Sequence, residues 1–156
     1  MSKDYFIILI VRIFFSFFAT LGFAGLFNVN KRDFFHCSLV GMTGWAVYTV
    51  FEYAFIKSAI WANFPAVLVV ALIGEIFARR FKKPATLYII PGIICFVPGY
   101  GIYNALKFMG EGNYELGSKA ITDTILIAWI ISLALIIVSS IFKIWPRILF
   151  KIKSKK

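Results

Sequence analysis

The sequence predicts an all-α membrane protein: a bundle of five transmembrane helices, the fourth broken or kinked at Pro91/Pro98. Three observations carry that reading. Hydrophobic residues make up 61% of the 156 positions and charged residues only 15%, whereas a soluble domain holds about 45–50% apolar and about 25% charged residues. The apolar residues gather in five runs, each close to or above the ~20 residues that cross a bilayer. The 17 basic residues, set against 7 acidic ones, divide unevenly among the intervening loops. A chain this short with five crossings has no room for a separate soluble catalytic domain, a nucleic-acid-binding module or a long disordered tail. It reads as a single transmembrane domain over 1–156, with spans at about 5–27, 34–55, 60–78, 85–108 and 121–145.

The first run, Tyr5 to Phe27, carries one charge, Arg12, and exceeds the ~7–15 residues of a signal-peptide core, so it is a permanent span. Asn28, Asn30, Lys31, Arg32 and Asp33 then form a short polar turn. Phe34 to Phe55 holds Gly41, Gly44 and, near its far end, Glu52. After a brief break at Lys57 and Ser58, Ile60 to Ala78 contains Pro65 and Glu75 and stops at Arg79, Arg80, Lys82 and Lys83. The fourth run, Ala85 to Phe108, includes Pro91, Gly92, Pro98, Gly99 and Gly101. Proline removes a backbone donor and clashes with the preceding turn, so two half-helices with an irregular stretch between them are expected there. Gly110 to Gly117 reads as the longest polar loop, and Ile121 to Trp145 as a fifth span with Asp123 in its first turn.

Charge sorting tests the count. With five crossings, Lys3, Lys57, Lys107 and Lys119 fall on one side. Lys31, Arg32, Arg79, Arg80, Lys82, Lys83, Lys143, Arg147, Lys151, Lys153, Lys155 and Lys156 fall on the other. Together with Arg12 these are the 17 basic residues, and the twelve-to-four bias places the N-terminus outside and the C-terminus in the cytoplasm. A fourth run that dipped in and returned would carry the basic tail outside, so crossing is favoured.

Hydrocarbon cannot hydrogen-bond a freed backbone group, so irregular backbone at membrane depth survives only inside protein or beside a water-lined cavity. The segment PGIICFVPGYGIYN, Pro91 to Asn104, is therefore the leading candidate for a substrate site. The N-terminus of a half-helix offers unpaired N–H groups and a positive end to a substrate carboxylate. Pro98, Gly99, Tyr100 and Gly101 supply that backbone, and Tyr100, Tyr103 and Asn104 supply side-chain hydrogen bonds. The competing reading of the same residues is a proline kink that serves packing alone.

Four ionisable residues lie in or at the edge of spans: Arg12, Glu52, Glu75 and Asp123. A charge at the bilayer centre costs roughly 2.5–3.5 kcal/mol on insertion scales, so a deep one needs a partner or a function. Arg12 is the deepest cation, placed to pair with a carboxylate or a partner subunit. Glu75 ranks first for proton coupling, although an i, i+4 pair with Arg79 is the plainer reading. Glu52 and Asp123 lie near the outer ends, where solvation explains them.

Small residues at Ser16, Thr20 and Ala24, at Gly41 and Gly44, and at Ala128 and Ser132 favour close helix packing or subunit contact. Trp61 and Trp145 fall at expected interfaces. Cys37 and Cys95 sit in apolar runs and read as small apolar residues, and His36 as an interfacial polar residue rather than a metal ligand. No nucleophile, paired-carboxylate, HExxH or Walker-type motif occurs, so neither an enzyme nor a resident cofactor or metal is expected.

Three segments together resemble the small membrane subunit of the threonine/serine exporter family, whose two-gene bacterial members include a dicarboxylate (succinate) exporter. GFAGLFNVNKR, Gly22 to Arg32, is similar to that family's end of the first span and its Phe-Asn-Val-Pro loop, with Asn30 in place of proline. SLVGMTGW, Ser38 to Trp45, is similar to its glycine-bearing second span. ARRFKKPATLYIIPGIICFVPGYGIYNAL, Ala78 to Leu106, resembles its basic loop and Pro-Leu-Val-Pro-Gly signature, with Cys95 replacing the opening proline and Tyr100 a small residue.

The resemblance implies a multi-pass protein of the bacterial inner membrane that works with a larger subunit of the same family in a homo- or hetero-oligomer. It also implies export of a small carboxylate-bearing metabolite, by amino-acid or dicarboxylate transport, driven by the proton-motive force. The rival expectation is a structural or assembly subunit, or a channel-like protein, without a substrate site of its own.

Overall fold

With no water to satisfy backbone groups inside a bilayer, a spanning chain closes its own hydrogen bonds as helix. Each predicted run does so in the computed structural model of the chain, which describes residues 3–56 and 58–153, with side-chain surroundings for 6–55 and 58–144. Trp145 and the basic side chains of the tail lie outside those described. The helices are α1 (Lys3–Leu26), α2 (Phe34–Val50), α3 (Ala59–Phe81), α4 (Thr86–Ile94), α5 (Gly99–Gly110) and α6 (Tyr114–Lys153). A 3-10 turn, Lys31–Asp33, precedes α2, and a π-helical turn, Phe51–Ile56, extends it. Among the described residues there is no strand, and five helical stretches are long and apolar enough to cross a membrane, α4 and α5 together making the fourth.

The ends of α1 and α3 are built alike. Asn28 (φ 54°) and Lys82 (φ 53°) adopt the left-handed conformation. The next amide in each case reaches back into the last turn, Val29 N–H to Ala24 O at 3.0 Å and Lys83 N–H to Ala78 O at 2.9 Å. These two turns bring Asp33 and Lys83 together, and the end of the bundle that carries them is called here the basic end.

Packing divides the helices into a centre and two flanks. α2, α3 and α4 pack on one another, α1 lies against α2 and α4, and α6 lies against α3. Ser16, Thr20 and Ala24 face inward as their spacing predicts, and a Cβ on Gly41 would stand 2.0 Å from the Thr20 hydroxyl, so α1 and α2 approach as closely as glycine allows. Ala128 and Ser132, by contrast, stay exposed. α6 turns Ile130, Ile131, Ala134 and Val138 inward instead.

Three expectations are corrected. Pro91 does not break the fourth element; it lies inside α4, and the interruption falls at Cys95 to Pro98. The carbonyl that Pro91 leaves without a partner, Leu87 O, accepts from the Cys37 thiol at 3.4 Å, which keeps α4 continuous. The supposed long loop from Gly110 to Gly117 is mostly helix. α6 starts at Tyr114, where the Asn113 side chain accepts from Leu116 N–H at 3.2 Å. Asp123 consequently lies in the third turn of α6 rather than in the first turn of a span.

Candidate functional site

The break is a sequence of tight turns. Phe96 N–H and Val97 N–H bond to Ile93 O (2.8 Å) and Ile94 O (3.2 Å). Pro98 (φ −79°, ψ 53°) then centres an inverse γ-turn, closed by Gly99 N–H to Val97 O at 2.8 Å. Phe96 anchors the stretch, buried and stacked on Trp45 with ring centroids 5.3 Å apart. Beyond Pro98 the chain restarts as α5, with Ile102 N–H reaching Pro98 O at 3.3 Å. The Tyr100 and Gly101 amides belong to the first turn, whose donors have no intrahelical acceptor.

α5 leaves the central helices at this point and packs on α6. Its departure opens a cleft of about 490 Å³ between α5 and the second and third helices, in the half of the bundle nearer the α5–α6 turn. Pro98, Tyr100, Gly101 and Asn104 line it from the break and α5, Trp45 and Tyr48 from α2, and Asn63 from α3. Asp123 and Thr124 line it from α6. Two of the sequence-predicted residues are not brought to this cleft. Gly99 is exposed at the helix start, and Tyr103 points out of the bundle, 63% exposed.

Asp123 was missed because the start of α6 was misplaced. It is half-buried, lines the cleft and has no ion-pair partner among the described residues. The cleft thus offers free amides and the positive end of α5 to an anion, the amide side chains of Asn63 and Asn104 to either polarity, and a carboxylate to a cation.

The two charged candidates behave differently. Glu75 pairs with Arg79 one helical turn away at 3.9 Å, the plainer of its two readings. Arg79 also donates to Phe142 O at 2.6 Å, and its guanidinium lies 4.4 Å from the Phe142 ring centre. Arg12 pairs with Glu52, from the π-helical turn, across 40 residues of sequence. Solvation at a span end therefore does not account for Glu52. Its second oxygen accepts from the Tyr48 hydroxyl at 3.4 Å.

At the basic end Asp33, expected in an open polar turn, is only 3% exposed. It accepts from Lys83 and, at 3.1 Å, from the Tyr88 hydroxyl. This tie joins the first and third turns to α4.

A cleft at membrane depth, fed by a helix break, is a transporter's feature, and the sequence agrees. The family model for the threonine/serine exporter, ThrE, matches residues 12–141. This chain belongs to that family. The matched range takes in the break, Asp123 and the Arg12–Glu52 pair. No solved structure matches the chain.

Proposed function

We propose that this chain is the small membrane subunit of a secondary exporter that moves a small carboxylate-bearing metabolite across a bacterial inner membrane, driven by the proton-motive force. The carrying observation is the cleft where the N-terminus of α5 and Asp123 are both present. The α5 amides take the carboxylate. Asp123 takes an ammonium group, which favours a threonine- or serine-type amino acid over a dicarboxylate, since a second carboxylate beside Asp123 would be repelled.

With the basic end in the cytoplasm, the cleft opens toward the outside. A larger subunit of the same family fits against α5, where the Tyr103 hydroxyl, exposed within a span and without a hydrogen-bond partner among the described residues, needs a polar neighbour.

The test is efflux of labelled threonine, serine and succinate from cells expressing this chain with its larger subunit. Loss of a charge-assisted hydrogen bond is worth about 1.5–3 kcal/mol, so D123N lowers amino-acid efflux by about tenfold or more. N104A weakens efflux of every substrate carried. Unchanged efflux in both variants, at wild-type membrane abundance, would leave a structural or assembly subunit as the better reading.

A further inference from the structure

We propose that Asn63 is the specificity residue of the cleft: its amide oxygen accepts a hydrogen bond from the substrate's side chain, so the protein selects amino acids that carry a hydroxyl there. This rests on the exporter reading above, in which the α5 amides and Asp123 hold the carboxylate and the ammonium group, and adds the residue that reads what remains.

Asn63 stands one turn into α3, is only 5% exposed and lines the cleft. Its Nδ2 donates back to Ala59 O at 2.8 Å and to Ile60 O at 3.4 Å. Turning the amide over would aim Oδ1 at two carbonyl oxygens, which accept and cannot donate, so the backbone of α3 fixes the group one way round. Oδ1 is thereby turned away from its own helix, and no described residue donates to it. Nor is it sealed in the packing: among the described residues, the fully enclosed side-chain polar atom without a partner is His36 Nδ1. The open space left to Oδ1 is the cleft that Asn63 lines.

The other polar side chains of the lining sharpen this. Asn104 makes no hydrogen bond to a described residue, so its amide can turn to serve a donor or an acceptor. The hydroxyls of Tyr48 and Thr124 have spent their protons, on Glu52 at 3.4 Å and on Ala120 O at 2.7 Å, and Gly101 packs over the second. An amide oxygen is a stronger acceptor than either hydroxyl. Among the neutral groups of the lining, Asn63 is therefore the strong acceptor of fixed polarity.

An α-amino acid held by its carboxylate and its ammonium group has its side chain left to meet a wall. An acceptor as little exposed as Asn63 Oδ1 is left bare when a methyl group fills the space before it, and it repels a second carboxylate. A hydroxyl supplies the missing donor.

The experiment uses membrane vesicles containing this chain and its larger subunit, loaded in turn with labelled threonine, valine, O-methylthreonine and succinate. Valine puts a methyl where threonine has its hydroxyl, and O-methylthreonine keeps the oxygen but has no proton to donate. In the wild type kcat/KM for threonine efflux exceeds that for valine and for O-methylthreonine by at least about tenfold. In N63L, apolar and close to asparagine in volume, the threonine-to-valine ratio falls to within about threefold of one, through a raised KM for threonine and a lowered one for valine. N63A moves the ratio in the same direction. Ala59 O and Ile60 O also accept from the amides of α3 itself, so neither variant strands a backbone group and both reach the membrane.

A wild type that carries threonine, valine and O-methylthreonine equally would overturn the proposal. So would an unchanged ratio in both variants, an equal loss of threonine and valine efflux, or failure of both variants to accumulate, the last two by making Asn63 a structural residue. Flux of succinate alone would overturn it and leave the exporter reading standing. Absence of flux for all four labels in the wild type would overturn the exporter reading, and the role of Asn63 with it.

Discussion

Pro91 removes a donor from the middle of α4, and the Cys37 thiol, arriving from α2, supplies the bond that Leu87 O would otherwise lack. Cys37 is fully buried, so no solvent substitutes for it. C37A leaves that carbonyl unsatisfied at about 1 kcal/mol, and for a chain of this size the detergent-solubilised protein should melt about 2–4 °C lower. C37S keeps a donor and melts near the wild type. Equal melting of C37A and wild type would show that the carbonyl finds another partner. Cys37 could be read as a small apolar residue from its surroundings in sequence, but not as a donor, because Leu87 stands 50 positions away. The same distance hid the Asp33–Lys83 pair.

Among the elements, α5 depends most on a single contact surface, since after the break it packs chiefly on α6. That surface is close. A Cβ on Gly101 would stand 2.3 Å from the Thr124 hydroxyl, which is itself held by Ala120 O at 2.7 Å and cannot turn aside without losing that bond. G101A should therefore destabilise the protein by about 1–3 kcal/mol, the usual cost of overpacking. T124A removes the obstructing hydroxyl, so G101A/T124A should recover most of that loss in the same melting assay, and strictly additive losses would place the strain elsewhere.

The five spans and the broken fourth one were legible because apolar run length and proline act locally. The π-helical turn was not, because Phe51–Ile56 is apolar and helix-compatible and its extra residue per turn leaves no mark in composition. The start of α6 was hidden for a related reason: GNYELG reads as a loop, yet Asn113 is a helix cap. Misplacing that start by two turns moved Asp123 out of the site.

For the whole molecule, the number of crossings decides which ends share a side, and the broken element decides the number. Tyr88 of α4 meets Asp33 at the basic end, while Phe108 of α5 lies by the cleft near the α5–α6 turn. α4 and α5 therefore run across the bundle in one direction, and a dip-and-return path would have brought Phe108 back to the basic end. Five crossings put the termini on opposite sides. In the orientation we propose, the side with twelve basic residues against four is the cytoplasmic one, where positive charge is retained. Fluorescent protein fused after Lys156 should fluoresce, and alkaline phosphatase fused at the same point should be inactive, with the reverse result for a phosphatase inserted in the α5–α6 turn. That turn is only three residues long, 111–113, and exposed, so it tolerates an insertion better than the turns tied by Asp33 and Lys83. An active phosphatase at Lys156 would turn the cleft toward the cytoplasm.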